Sequence, residues 1–278
     1  MKRYIACLVL ALVLPVMLAA CAHEEKKDPS EKPVEELYRD ARKAFDEEDY
    51  KGAAAAFDEV ERQHPYSQWA TQAKLMSAFS SYEGEDYDVA LTTLDSFIEL
   101  HPGHPDVAYA YYLRAICYYE QIVDVGRDQQ STAMAMESLE EVVRRFPDTK
   151  YGRDAKFKKD LTMDHLAGKE MEIGRFYLKR KFYQAAINRF QSVVENYQTT
   201  THTPEALHRL VEAYLALGLP SEAQKMGAVL GHNYPGSRWY QASYSLLTKG
   251  QTMQLEKPKK EPTTTAGKLT NTVTGWFE

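Results

Sequence analysis

The 278-residue sequence predicts an all-α fold, a solenoid of about five stacked helix pairs. Three observations carry this expectation: an internal pattern in five copies, an amphipathic segment before each copy, and turn signals after each. The pattern is an aromatic residue or its substitute, a small residue at +3, and larger apolar residues at +7 and +10. The first copy is Tyr50, Ala53, Phe57 and Val60; the second is Tyr87, Ala90, Leu94 and Phe97. The third is Thr132, Ala135, Leu139 and Val142, the fourth Tyr183, Ala186, Phe190 and Val193. The fifth and weakest is Pro220, Ala223, Gly227 and Leu230. Offsets of 3, 7 and 10 share one face of an α-helix. The small residue lets a neighbouring helix approach, and the larger ones fill the groove between helices.

Segments such as "EELYRDARKAFDEED", "WATQAKLMSAFSSYEG" and "EALHRLVEAYLALG" supply the partner helices. "HPYS" (64–67), "HPGHP" (101–105), "FPDT" (146–149) and "YPGS" (234–237) close four pairs, and the polar run "NYQTTTHTP" closes the other. Proline ends a helix because it lacks an N–H and disfavours helix at the residue before it. The copies start 37, 45, 51 and 37 residues apart. A tetratricopeptide unit, two antiparallel helices, is about 34 residues long. Such units bury their apolar faces only by stacking, which builds a superhelix with a concave surface.

Two stretches depart from the period. "EQIVDVGRDQQST" lengthens the third repeat, as a longer loop or a kinked helix extension. The fourth opens with a long helical stretch, about 152–179, interrupted by Gly168 and Gly174. Both lie mid-chain, so the repeats divide into an N-terminal group, 33–125, and a C-terminal group, 126–250. The charged, Pro-containing segment 21–32 reads as a flexible tether. Residues 251–278 read as a disordered tail. Trp276 and Phe277 give it an apolar end, either a short docking motif or incidental aromatics.

The N-terminus reads as a secretory leader, with Lys2 and Arg3 before an uncharged run from Ile5 to Ala20. Its end, Leu18-Ala19-Ala20-Cys21, resembles the bacterial lipobox. That resemblance implies cleavage before Cys21, a diacylglyceryl thioether on its sulfur and an acylated amine. Ala22, at the sorting position, is compatible with the outer membrane. Each buried methylene contributes about 0.8 kcal/mol, so several chains on one cysteine give lasting attachment.

Removing residues 1–20 takes away Lys2 and Arg3 and moves the formal net charge from −6 to −8. The acidic balance argues against nucleic-acid binding, which needs a basic surface. With Cys7 in the leader and Cys21 lipidated, Cys117 has no disulfide partner and is expected to be a buried, inert thiol. The sequence holds no HExxH, GxxxxGK[ST] or GxSxG motif, and no catalytic residue, metal ligand set or cofactor is assigned. His101 and His104 flank a Pro-Gly turn, and two ligands without a third do not make a metal site.

Lipobox, acidic tether and five such repeats together resemble the BamD family, lipoproteins of the outer-membrane β-barrel assembly (Bam) machine. The resemblance covers roughly residues 30–240. It rests on "HPYSQWATQAKL", "FIELHPGHPDVAYAYYLRAICYYE" and "RRFPDTKYGRDAKFKKDL". It implies a scaffold on the periplasmic face of the outer membrane. Its C-terminal repeats would bind a BamA-like barrel insertase, and its N-terminal repeats would bind unfolded barrel precursors, including their C-terminal strand. Other Bam lipoproteins are further expected partners. An extended peptide ending in an aromatic suits a groove lined by tyrosines. Tyr109, Tyr111, Tyr112 and Arg114 are the candidates for it, although a helix cannot turn all the tyrosines to one face. Arg189 and Arg209 are the candidate insertase contacts, since arginine suits a partner's carboxylates. The alternatives are a repeat lipoprotein scaffolding cell-wall synthesis or division and, more remotely, an envelope hydrolase.

Overall fold

The computed structural model describes residues 32–255, with side chains through Lys249. The leader, Cys21, nearly all of the expected tether, and Trp276 and Phe277 lie outside the described residues. Among those described there are eleven helices and no strand. Five pairs run in order: α1 (Val34–Asp46) with α2 (Tyr50–Gln63), and α3 (Gln68–Glu83) with α4 (Tyr87–Leu100). Then come α5 (Val107–Glu120) with α6 (Gln130–Arg145), α7 (Lys150–Lys179) with α8 (Tyr183–Asn196), and α9 (Thr203–Ala216) with α10 (Pro220–Asn233). A last helix, α11, spans Arg238–Leu255 and so enters the segment read as tail.

The second helix of four pairs begins at the residue that opens the sequence pattern: Tyr50, Tyr87, Tyr183 and Pro220. The turn before each has one recurring geometry. Glu48, Glu85, Lys181 and Gly218 take positive φ angles of 63°, 59°, 66° and 76°. The following N–H then reaches back to a carbonyl five residues earlier: Asp49 to Ala44, Asp86 to Ser81, Phe182 to Tyr177 and Leu219 to Tyr214, at 2.8–3.0 Å. These bonds satisfy carbonyls that the first helix leaves open. A left-handed conformation costs a residue with a Cβ about 1–2 kcal/mol, which glycine avoids at some cost in chain entropy. Lys181→Gly is therefore expected to raise the unfolding free energy by about 0.5–1 kcal/mol. A lower urea midpoint would show instead that the lysine side chain stabilises the turn.

The turns between pairs also cap the next helix. Ser67, Thr149 and Ser237, the last residues of "HPYS", "FPDT" and "YPGS", accept the N–H groups of Ala70, Gly152 and Tyr240 at 3.0–3.1 Å. Each satisfies a donor that the helix N-terminus leaves unpaired. The +3, +7 and +10 residues of all five copies are buried.

The third pair departs as the sequence suggested. Residues 121–129 form a loop between α5 and α6, not a helix extension. The expected interruption of the long helix does not occur: α7 runs unbroken for 30 residues. Gly174 is there for packing. A Cβ at this position would lie 2.4 Å from Cε1 of Phe190. The weak fifth copy has a parallel cause: a Cβ on Gly227 would lie 2.6 Å from Leu247 on α11.

The chain forms two compact units. One comprises the described residues through Glu120 together with Ser138–Ala155; the other comprises Gln121–Glu137 and the residues from Lys156 onward. The boundary expected at 125/126 thus lies within the 121–137 stretch that belongs to the second unit. The first unit has three core clusters, around Phe57, around Leu94 and Phe97, and around Leu139 and Val142. Cys117 belongs to the second of these, is in no disulfide among the described residues and has no exposed surface. Burial pushes its thiol up to about 12, so it stays protonated and unreactive. The second unit is built around Met171, Ile187, Phe190 and Leu210.

Candidate protein-binding surfaces

Helix α5 carries the run "YAYYLRA", and its twist separates the four candidates there into two sets. Tyr109 and Tyr112, three residues apart, share one face. Both rings lie against Tyr151, at centroid distances of 5.4 and 5.3 Å, and the Tyr112 hydroxyl donates to Asp154. Both are half-buried, and burial raises both phenols, so they remain hydrogen-bond donors at neutral pH.

Tyr111 and Arg114 form the second set. Tyr111 is only 8% exposed, and the guanidinium groups of Arg114 and Arg145 both lie over its ring, 5.1 and 4.9 Å from its centroid. Arg114 bonds Asp95 on α4 at 3.0 Å and also Glu141 on α6, with its side chain 18% exposed. This side chain ties three helices together. Hydrogen bonds to charged partners contribute about 1.5–3 kcal/mol each where they are shielded from water. Arg114→Ala is expected to cost about 2 kcal/mol of stability, read from denaturant midpoints. An unchanged midpoint with weakened peptide binding would return Arg114 to the groove.

The first unit also holds a groove that the sequence reading missed. It measures about 570 Å³ and is lined by Tyr38, Trp69, Arg39, Arg42 and Lys43, with Glu35, Asp46 and Glu47. Tyr38 packs on Trp69 at 4.8 Å and on Phe57 at 5.4 Å, so its ring is fixed from below. The available signal was spacing: Tyr38, Arg39, Arg42 and Lys43 recur at three and four residues on α1, and Trp69 opens α3.

In the second unit, Nη1 of Arg189 lies 3.2 Å from both carboxylate oxygens of Glu170, with the side chain still 44% exposed. Arg209 is more enclosed. It bonds Glu205 at 3.2 Å and Glu212 at 2.8 Å, and lies 5.4 Å from the Trp239 ring centroid. Beneath it, buried His208 stacks on Trp239 at 5.2 Å and lies 2.8 Å from the Ser243 hydroxyl. Arg209 lines a groove of about 440 Å³ with Arg175, Leu178, Lys179, Tyr183, Glu212 and Ala216; Arg189 does not line it.

A separate polar pocket of about 420 Å³ is lined by Asp124, Asp164, Glu172, His165 and His202, among others. Even so, no group of three or more His, Cys, Asp or Glu side chains among the described residues could hold a metal ion. His104 instead accepts the Asp106 N–H, and its ring packs on Phe97 at 5.4 Å. No described helix is long and apolar enough to cross a membrane.

Stacked helix pairs, left-handed turns at a fixed register and aromatic, charged side grooves define a helical-repeat protein of tetratricopeptide type. A family model described as "YfiO: Outer membrane lipoprotein" matches residues 30–230, and the chain belongs to that family, the BamD family. The chain is 48% identical over 255 residues to the outer membrane protein assembly factor BamD of Caulobacter vibrioides, covering 91% of this chain and 84% of that one. It is 47% identical over 240 residues to the BamD of Rickettsia prowazekii, covering 86% and 96%. A third relative, from Neisseria meningitidis, is 33% identical over 245 residues, covering 83% and 92%.

Proposed function

We propose that this chain is a lipoprotein of the Bam complex, held on the periplasmic face of the outer membrane by lipid on Cys21. It binds a BamA-like insertase and unfolded barrel precursors, and it supports their folding and insertion without catalysing a reaction. The observation that carries this reading is the 47–48% identity to assembly factors over 86–91% of the chain. The grooves support it physically. Tyr38 and Trp69 offer a rigid aromatic wall flanked by cations, which suits an extended peptide with aromatic side chains. Arg189 in the second unit, still 44% exposed, suits a carboxylate of a folded partner.

The test is affinity purification of the tagged full-length chain from solubilised outer membrane, followed by mass spectrometry. A barrel insertase and other assembly lipoproteins are expected to copurify. Recovery of cell-wall or division proteins without an insertase would favour the alternative scaffold. A fragment of residues 150–250 is a poor reagent, because it lacks the 121–137 stretch of the second unit. Full-length variants avoid this problem. Arg42→Glu is expected to weaken binding of a precursor C-terminal peptide and leave insertase copurification unchanged.

A further inference from the structure

We propose that the second-unit groove lined by Leu178, Lys179, Tyr183, Arg209 and Ala216 seats this chain's own C-terminal segment, residues 273–278, with Trp276 and Phe277 on its apolar wall. The inference is independent of the partner reading above.

The groove has both halves of a site for such a segment. Leu178, Tyr183 and Ala216 give it an apolar wall, and Phe182 and Leu217, their chain neighbours, are exposed beside it. Arg175 and Arg209 are already engaged with Glu205 and Glu212. Lys179 makes no ion pair among the described residues, so its charge is available in the groove. The segment "LTNTVTGWFE" (269–278) matches this chemistry: two adjacent aromatics and one charged side chain, the carboxylate of Glu278. The basic residues of the tail, Lys257, Lys259, Lys260 and Lys268, all precede it. The first-unit groove offers no such selectivity, since its three cations are matched by Glu35, Asp46 and Glu47.

The chain lengths agree with this seating. Helix α11 packs against α9 and α10, and Trp239 near its start lies against Arg209 at the groove. Its 18 residues carry the chain about 27 Å onward to Leu255. Twenty residues separate Leu255 from Trp276. As a coil they have a root-mean-square span of about 25 Å, and fully extended about 70 Å. The return needs no stretching. A tethered segment acts at an effective concentration in the millimolar range, so a contact too weak to detect between separate molecules is largely occupied within one.

The experiment places photoreactive benzoylphenylalanine at position 276 of the full-length chain, irradiates it and maps the cross-links by mass spectrometry. The expected result is cross-links within one chain to peptides carrying Leu178–Tyr183 and Arg209–Ala216. Lys179→Glu is expected to lower their yield at least three-fold, and adding Glu278→Lys is expected to restore it. Lys179 is exposed and unpaired, and circular dichroism checks that each variant keeps its helicity. Cross-links elsewhere, none at all, or only between two chains would overturn the proposal. So would a groove that takes an insertase or precursor peptide while residue 276 never reaches it.

Discussion

Phe190→Ala is expected to lower the unfolding free energy of the second unit by about 3–5 kcal/mol, the range for deleting a fully buried aromatic side chain. Phe190 has no exposed surface and packs in the cluster of Met171, Ile187 and Leu210. Its ring also lies where a Cβ on Gly174 would project. The same contact gives Gly174→Ala an expected sign opposite to helix propensity. Propensity alone would stabilise α7 by about 1 kcal/mol. The Cβ would lie 2.4 Å from the fully buried Phe190 ring, and such overpacking costs about 1–3 kcal/mol. Combining Gly174→Ala with Phe190→Leu is expected to cost less than the two separately, because the smaller side chain makes room. Denaturation followed by circular dichroism measures all four variants: Phe190→Ala, Gly174→Ala, Phe190→Leu and the double change. Strict additivity would mean that the two residues do not touch.

Cys21→Ser is expected to abolish lipid attachment altogether. The "LAAC" run motivates this, and the residue lies outside the described structure. Metabolic labelling with a fatty acid should mark the wild type and leave the variant unlabelled, with the variant uncleaved or released from the membrane. Equal labelling of both would refute lipidation at this cysteine. No described helix is long and apolar enough to cross a membrane.

Much of the fold was legible because its information is local. The burial of Ala53, Phe57 and Val60, and of their counterparts in the other copies, follows from helical periodicity. The start of α2, α4, α8 and α10 coincides with the pattern's first residue for the same reason. The glycines were misread because their local and tertiary meanings differ. In isolation Gly174 weakens a helix; in the fold it admits Phe190. Likewise, a sequence cannot distinguish an arginine that faces a partner from one that clamps its own helices. Arg114 became a clamp because folding brings Asp95 and Glu141 to it across 19 and 27 residues.

By itself, then, the sequence determined the helix-pair repeat, the faces that each helix buries and the turns that separate the pairs. These depend on residue type and short spacing. Only the tertiary structure decided which aromatics are held open in grooves, at Tyr38 with Trp69 and at Tyr183, and which arginines remain accessible. Those outcomes depend on contacts between helices far apart in the chain, where a single Cβ or carboxylate decides whether a side chain packs inward or remains exposed.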